Sequence, residues 1–152
     1  MIKIWQRIFA IVEIVGGTLA LIAMIFAAKA GASKSVIIVG ASLDLLVLVA
    51  GVALWLKPRV GLVLSEIALA LQGVQVFTAW FTWQYVAGVA LLIQIVGGEL
   101  SWSGGLLVRQ TFSPEPNSRG VGFGINLIAV AAFTFILMSQ GRRKAWRPRS
   151  SA

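Results

Sequence analysis

Residues 94–112 read QIVGGELSWSGGLLVRQTF, with two Gly-Gly pairs seven residues apart and alternating polar and apolar residues between them. Two-residue hairpin turns of the primed type need positive φ at both central positions, which glycine adopts without a Cβ penalty. Taking both pairs as turns predicts three strands, about Val89–Val96, Glu99–Ser103 and Leu106–Phe112. Ile93 then faces Trp102, Ile95 faces Leu100, Trp102 faces Leu107, and Leu100 faces Arg109. One face collects Ile93, Ile95, Leu100, Trp102 and Leu107. The other collects Gln94, Glu99, Ser101, Ser103 and Gln110. A register that separates apolar from polar side chains this cleanly is the one a half-buried meander needs. The competing reading is a short fifth membrane segment over Val86–Val96, too short to cross and so re-entrant.

Outward from this stretch the chain turns apolar. Of its 152 residues 59% are hydrophobic and only 12% charged, about half the charge that a soluble domain carries, ~25%. Four apolar runs have membrane length: Ile8–Ala28, Val36–Leu56, Val60–Phe81 and Val121–Met138, the last extended to Ser139. A helix needs roughly 20 residues to cross about 30 Å of hydrocarbon. The first run is too long for a usual signal-peptide core and reads as a retained helix. KAGASKS and KPR are tight connections, so the first three helices are antiparallel neighbours. Ser35 is a candidate cap for the second. The expected fold is a single integral membrane domain over 1–152: an all-α bundle of four transmembrane helices (about 8–28, 36–56, 60–81 and 121–139). A small extracytoplasmic three-stranded antiparallel β-meander (about 89–112) is added in the long 82–120 connection, and SPEPNSRG, 113–120, makes an irregular return.

Charge placement orients this arrangement. With the N-terminus cytoplasmic, nine basic residues fall inside (Lys3, Arg7, Lys57, Arg59, Arg142, Arg143, Lys144, Arg147 and Arg149) and four outside (Lys29, Lys34, Arg109 and Arg119). That bias puts both termini inside. Trp5 and Trp55 then mark one interface, and Trp80, Trp83 and Tyr85 the other. The basic tail, 141–152, is suited to anionic lipid headgroups, at about 1 kcal/mol per basic residue. That suffices to explain it without nucleic acid. Small size and no targeting signal point to a bacterial inner membrane.

Three of the five acidic residues sit inside predicted spans: Glu13, Asp44 and Glu66. No Lys, Arg or His lies in those spans, and an ionised carboxylate in hydrocarbon costs several kcal/mol. These groups are therefore protonated, face water, share protons, or hold a cation. Their helical spacing from small residues (Gly16, Gly17 and Ala20; Gly40 and Gly51; Ala70 and Gly73) turns them toward the bundle, where small residues allow close packing. They are candidates for a proton or cation relay. The alternative is neutral acids that hydrogen-bond between helices, alongside Ser42, Gln72, Gln75 or Asn126.

IVEIVGGTLAL, residues 11–21, resembles the first helix of small multidrug resistance transporters. In that family a membrane-embedded glutamate binds protons and cationic substrates, and the resemblance makes Glu13 its counterpart. It covers about a dozen residues, and the family's later-helix motifs are missing. The expected architecture is also similar to that of claudin-like proteins, whose outer sheet comes from the first outer loop and includes a cysteine pair that this chain lacks.

Enzyme chemistry finds little material. Histidine and cysteine are absent, which removes the usual metal ligands, proton shuttles and thiol nucleophiles. Asp44 is the only aspartate, whereas aspartyl intramembrane proteolysis needs two. GVGFG, 120–124, opens a membrane helix and not a nucleotide-binding turn. The expected function is a non-enzymatic accessory or interaction subunit, without cofactor or metal. Its meander would bind a membrane-protein partner or its own copies, by its apolar face (Ile93, Ile95, Leu100, Trp102, Leu107 and Arg109) or by a free sheet edge. The alternative is a small proton- or cation-coupled transporter or channel using Asp44, Glu13 and Glu66.

Overall fold

A computed structural model describes residues 4–113 and 120–145. It holds four helices, α1 (Ile4–Lys29), α2 (Lys34–Leu56), α3 (Pro58–Gly73) and α4 (Leu127–Ala145). Four strands, β1 (Val74–Phe77), β2 (Thr82–Val96), β3 (Glu99–Ser113) and β4 (Gly122–Asn126), form one antiparallel sheet. Lys3, Arg119 and most of the basic tail lie outside the described residues, as does nearly all of the 113–120 return.

Among the described residues, α1 and α2 alone are long and apolar enough to cross a membrane by length and composition. They pack through glycine. A Cβ on Gly17 would come within 2.7 Å of the Leu48 nitrogen, and one on Gly51 within 2.9 Å of the Ala10 oxygen. Ser33, and not Ser35, caps α2 by accepting from the Val36 amide. At the end that carries the α2–α3 turn, here the lower end, all four helices meet around Ala10, Leu54, Leu62 and Ile136.

The upper half departs from the expected bundle. α3 stops at Gly73 and the chain continues as β1. α4 begins only at Leu127, after β4. The sequence 74–77, VQVF, alternates exposed and buried residues, the period of a strand and not of a helix. GFGIN does the same over 122–126. The predicted third and fourth membrane helices are therefore each a helix joined to a short strand. Their apolar length is as read, and their backbone is not.

The three-stranded meander is corrected as well. Gly97 and Gly98 do form the turn, with φ of 61° and 84°, and the Ile93–Trp102 and Ile95–Leu100 pairs stand. Gly104 and Gly105 do not form a hairpin turn. β3 continues through them and pairs with β2 over its whole length, so Leu107 pairs with Gly88 and Arg109 with Val86. The result is a single hairpin with two 15-residue strands.

That hairpin is bent double. β4 is antiparallel both to β1 and to the 92–96 end of β2, while the 82–83 end of β2 is antiparallel to β1. Straight strands cannot meet all three conditions, so β2 reverses along its length. The bend falls where φ is positive, at Gly88 (115°) in β2 and at Gly105 (135°) in β3, conformations open to glycine and strained for other residues. β1 and β4 fill the space between the two arms. Read across, the sheet runs β3, β2, β4, β1, β2, β3, and β3 forms both edges.

Candidate functional site

The bend carries the sheet down beside the helices and not above them. A Cβ on Gly16 would lie 3.1 Å from the Ala87 oxygen and 3.2 Å from the Gly88 Cα. Gly16 is midway along α1, so the bottom of the bent hairpin reaches the middle of the molecule. The expectation of a sheet confined outside the helices is overturned by this contact, which a side chain at Gly16 would crowd.

The descending arm of β2 meets the buried polar residues. Tyr85 is fully buried, and its hydroxyl donates to Asp44 Oδ1 at 3.3 Å. The Ala87 amide donates to Gln72 Oε1 at 3.1 Å. Trp83 Nε1 donates to the Leu71 carbonyl at 3.4 Å. One face of this arm, Tyr85 and Ala87, packs with Ala20, Val47 and Ala68 of the first three helices.

The carboxylates proposed as a relay are placed as follows. Asp44 is fully buried and Glu13 nearly so. Glu13 Oε2 accepts from Ser65 Oγ at 2.9 Å, while its Oε1 is buried without a hydrogen-bond partner. Glu66 is only partly buried, and the buried stripe of α3 is Gly61, Leu62, Ser65, Ala68, Gln72 and Gly73. The spacing argument thus holds for Glu13 and Asp44, and on α3 it selects Ser65 in place of Glu66. Ser42 turns to the Ile38 carbonyl of its own helix.

A second buried polar group lies in the sheet. Gln75 Oε1 accepts from Gln84 Nε2 at 3.2 Å and also from Gln94 Nε2. Gly124 lies between Gln75 and Gln94 in the register. A Cβ there would come within 2.9 Å of both glutamine side chains. Asn126 Oδ1 accepts from the amides of Leu91 and Ala129, which caps α4 and ties it to β2. The Nδ2 of Asn126 and the Nε2 of Gln75 are buried without partners.

The other face of the sheet is exposed and apolar. Leu100, Ile95, Phe123 and Val76 form one cross-strand row, and Trp102, Ile93, Ile125 and Val74 a second. Every one of these eight is exposed, Leu100 at 71% and Trp102 at 79%. Four of the predicted interaction residues, Ile93, Ile95, Leu100 and Trp102, belong to it. Leu107 and Arg109 pair elsewhere, with Gly88 and Val86, and so do not continue the face as expected.

β3 is the second exposed feature. Among the described residues it pairs with β2 alone, so the backbone groups on its outer edge have no strand neighbour. Leu106 and Val108, beside the bend, are exposed. Sequence reading offers a free sheet edge but not this continuous one, because it takes Gly104–Gly105 for a turn. A lone Gly88 in the apolar run VAGVALL was the available signal.

No protein-family model matches the chain, and no curated protein or solved structure matches it either.

Proposed function

We propose that this chain is an integral membrane protein acting as a non-enzymatic interaction subunit, and that the edge of β3 is its contact surface. It crosses the bilayer four times with both termini cytoplasmic, twice as a full helix and twice as a helix continued by a strand. α3 spans about 24 Å at ~1.5 Å per residue and β1 adds about 13 Å at ~3.3 Å per residue, enough for ~30 Å of hydrocarbon. α4 with β4 does the same. Support for the setting comes from the distribution of side chains: polar groups inside, and exposed Ile, Val, Leu and Phe around the outside. The nine-to-four basic bias gives the orientation.

The observation that carries the interaction reading is an open strand edge at mid-molecule height. Lipid chains offer no donors or acceptors, and each unsatisfied backbone group in hydrocarbon costs several kcal/mol, so lipid-exposed sheet edges do not occur there. Another protein surface supplies what lipid cannot. The test is a photoreactive residue at Trp102 or Leu106 in native membranes. Adducts of higher mass are expected. Their absence from a folded, membrane-inserted protein rejects the reading.

A second reading is favoured by the buried, half-partnered carboxyl group of Glu13 and by the burial of Asp44. It is the proton- or cation-coupled transporter, with Glu66 a lesser participant. Proton flux in liposomes that Asp44→Asn or Glu13→Gln abolishes would establish it. Flux unchanged by both substitutions, or no flux at all, rejects it.

A further inference from the structure

Gly17 holds α1 against the backbone of Asp44 and Leu48 in α2. One turn above, at Leu21, a groove of about 510 Å³ opens between the two helices. Leu21, Met24, Ile25 and Ala28 of α1 line it, with Ile37 and Ala41 of α2. It runs along the helices for about 12 Å at ~1.5 Å per residue. Its walls are apolar, and the one charge that lines it, Lys29, stands at the mouth, on the last residue of α1. Lys34 brings a second cation to the same end, one helical turn before Ile37. Among the described residues neither lysine has an ion-pair partner.

The chemistry along the groove, cation at the mouth and hydrocarbon below, selects its occupant. Water finds no polar partners in the lower part. A partner helix of the same length, about 10 Å across, fills roughly 900 Å³, too much to enter. A lone anion would satisfy the lysines and leave the apolar walls bare. We infer that the groove binds one anionic phospholipid of the outer leaflet, an acyl chain between α1 and α2 and the phosphate against Lys29 and Lys34. This rests on the membrane setting and orientation proposed above, which put both lysines at headgroup level, and is independent of the β3 edge.

The test uses the full chain purified in a neutral detergent. Phosphatidylglycerol and phosphatidylcholine with identical acyl chains are titrated in, and retained lipid is counted by native mass spectrometry. One phosphatidylglycerol should be held in preference to phosphatidylcholine. Lys29→Gln should weaken it about five-fold, the factor for one basic residue near an anionic surface. Lys57→Gln, at the opposite end of α2, should leave it unchanged. Ala28→Trp, at an exposed position on the groove wall, should fill the groove and expel the lipid. Equal retention of the two lipids, or a Lys29→Gln effect no larger than that of Lys57→Gln, overturns the site. Both readouts stand even if Ala28→Trp fails to fold, because Lys29 is an exposed helix end. A folded Ala28→Trp protein that keeps the lipid, or displacement of the lipid by inorganic phosphate, means an anion held without the groove and also overturns it. A chain that stays in solution without detergent or lipid rejects the membrane setting itself. One that needs detergent but shows no lipid preference rejects the groove alone.

Discussion

Gln84 and Gln94 lie ten residues apart on one β-strand, and both donate to the same oxygen, Gln75 Oε1. A straight strand would hold them about 33 Å apart at ~3.3 Å per residue. The shared acceptor therefore requires β2 to fold back on itself, as its pairing with β1 at one end and β4 at the other requires independently. Spin labels on Trp83→Cys and Ile95→Cys test this directly. These positions lie on the two arms, separated by β1 and β4, so their backbones should sit about three strand spacings or ~14 Å apart. A distance near 40 Å would mean an unbent hairpin and would remove the sheet as described.

The bend assigns unequal roles to the two residues of the Gly104–Gly105 pair. Gly105 has a φ of 135°, and a Cβ there meets nothing within 4 Å, so the cost of Gly105→Ala is conformational, about 1–3 kcal/mol. Gly104 has no positive φ. Its Cβ would approach the flexible Leu91 Cδ1 at 3.2 Å, so Gly104→Ala should cost less. Gly88→Ala should behave like Gly105→Ala. Thermal unfolding in detergent ranks the three, and a Gly104 variant as damaging as the other two would misplace the bend.

These glycines also show where sequence reading succeeds and stops. Gly97–Gly98 was legible because it adjoins a polar-apolar register that only a turn at that point explains. Gly104–Gly105 carries the same local signal, yet β2 extends back to Thr82 and supplies a continuous partner for all of β3. That long-range pairing overrides the local preference. The apolar runs over 60–81 and 121–139 were read as whole helices, and each is a helix joined to a short strand. Apolarity alone does not separate helix from strand, and the alternation in VQVF and GFGIN spans too few residues to stand out. Glu13 and Asp44 were legible from small-residue spacing. Their partners Ser65 and Tyr85 were not, because those contacts join residues 52 and 41 positions apart.

Asp44 distinguishes packing from proton traffic. Asn still accepts from the Tyr85 hydroxyl, whereas Leu leaves that buried hydroxyl without this acceptor, a cost of about 1–3 kcal/mol. In the interaction reading Asp44→Asn keeps both the fold and the crosslinked product, and Asp44→Leu lowers the unfolding temperature. Comparing the two variants by unfolding and by crosslinking yield separates the roles. Loss of proton flux in a fully folded Asp44→Asn protein would instead favour transport.

Asn126 is the joint between β4 and α4. Its Oδ1 caps α4 through the Ala129 amide at 3.4 Å and holds the Leu91 amide of β2 at 3.3 Å. Losing a cap costs about 0.5–2 kcal/mol, and the part-buried Leu91 amide would also lose its side-chain acceptor, adding about 0.5–1.5 kcal/mol. Asn126→Ala should therefore destabilise by roughly the sum of these two ranges. Asn126→Asp keeps the oxygen acceptor and puts a negative charge at the positive end of the α4 dipole, which favours it. The same substitution places a carboxylate at a position only 1% exposed, which opposes it. The balance is readable as pH dependence: Asn126→Asp should approach wild-type stability at low pH, where the carboxyl is neutral, and lose it as pH rises. An Asn126→Ala protein as stable as the wild type would show that the strand-to-helix joint does not depend on this side chain.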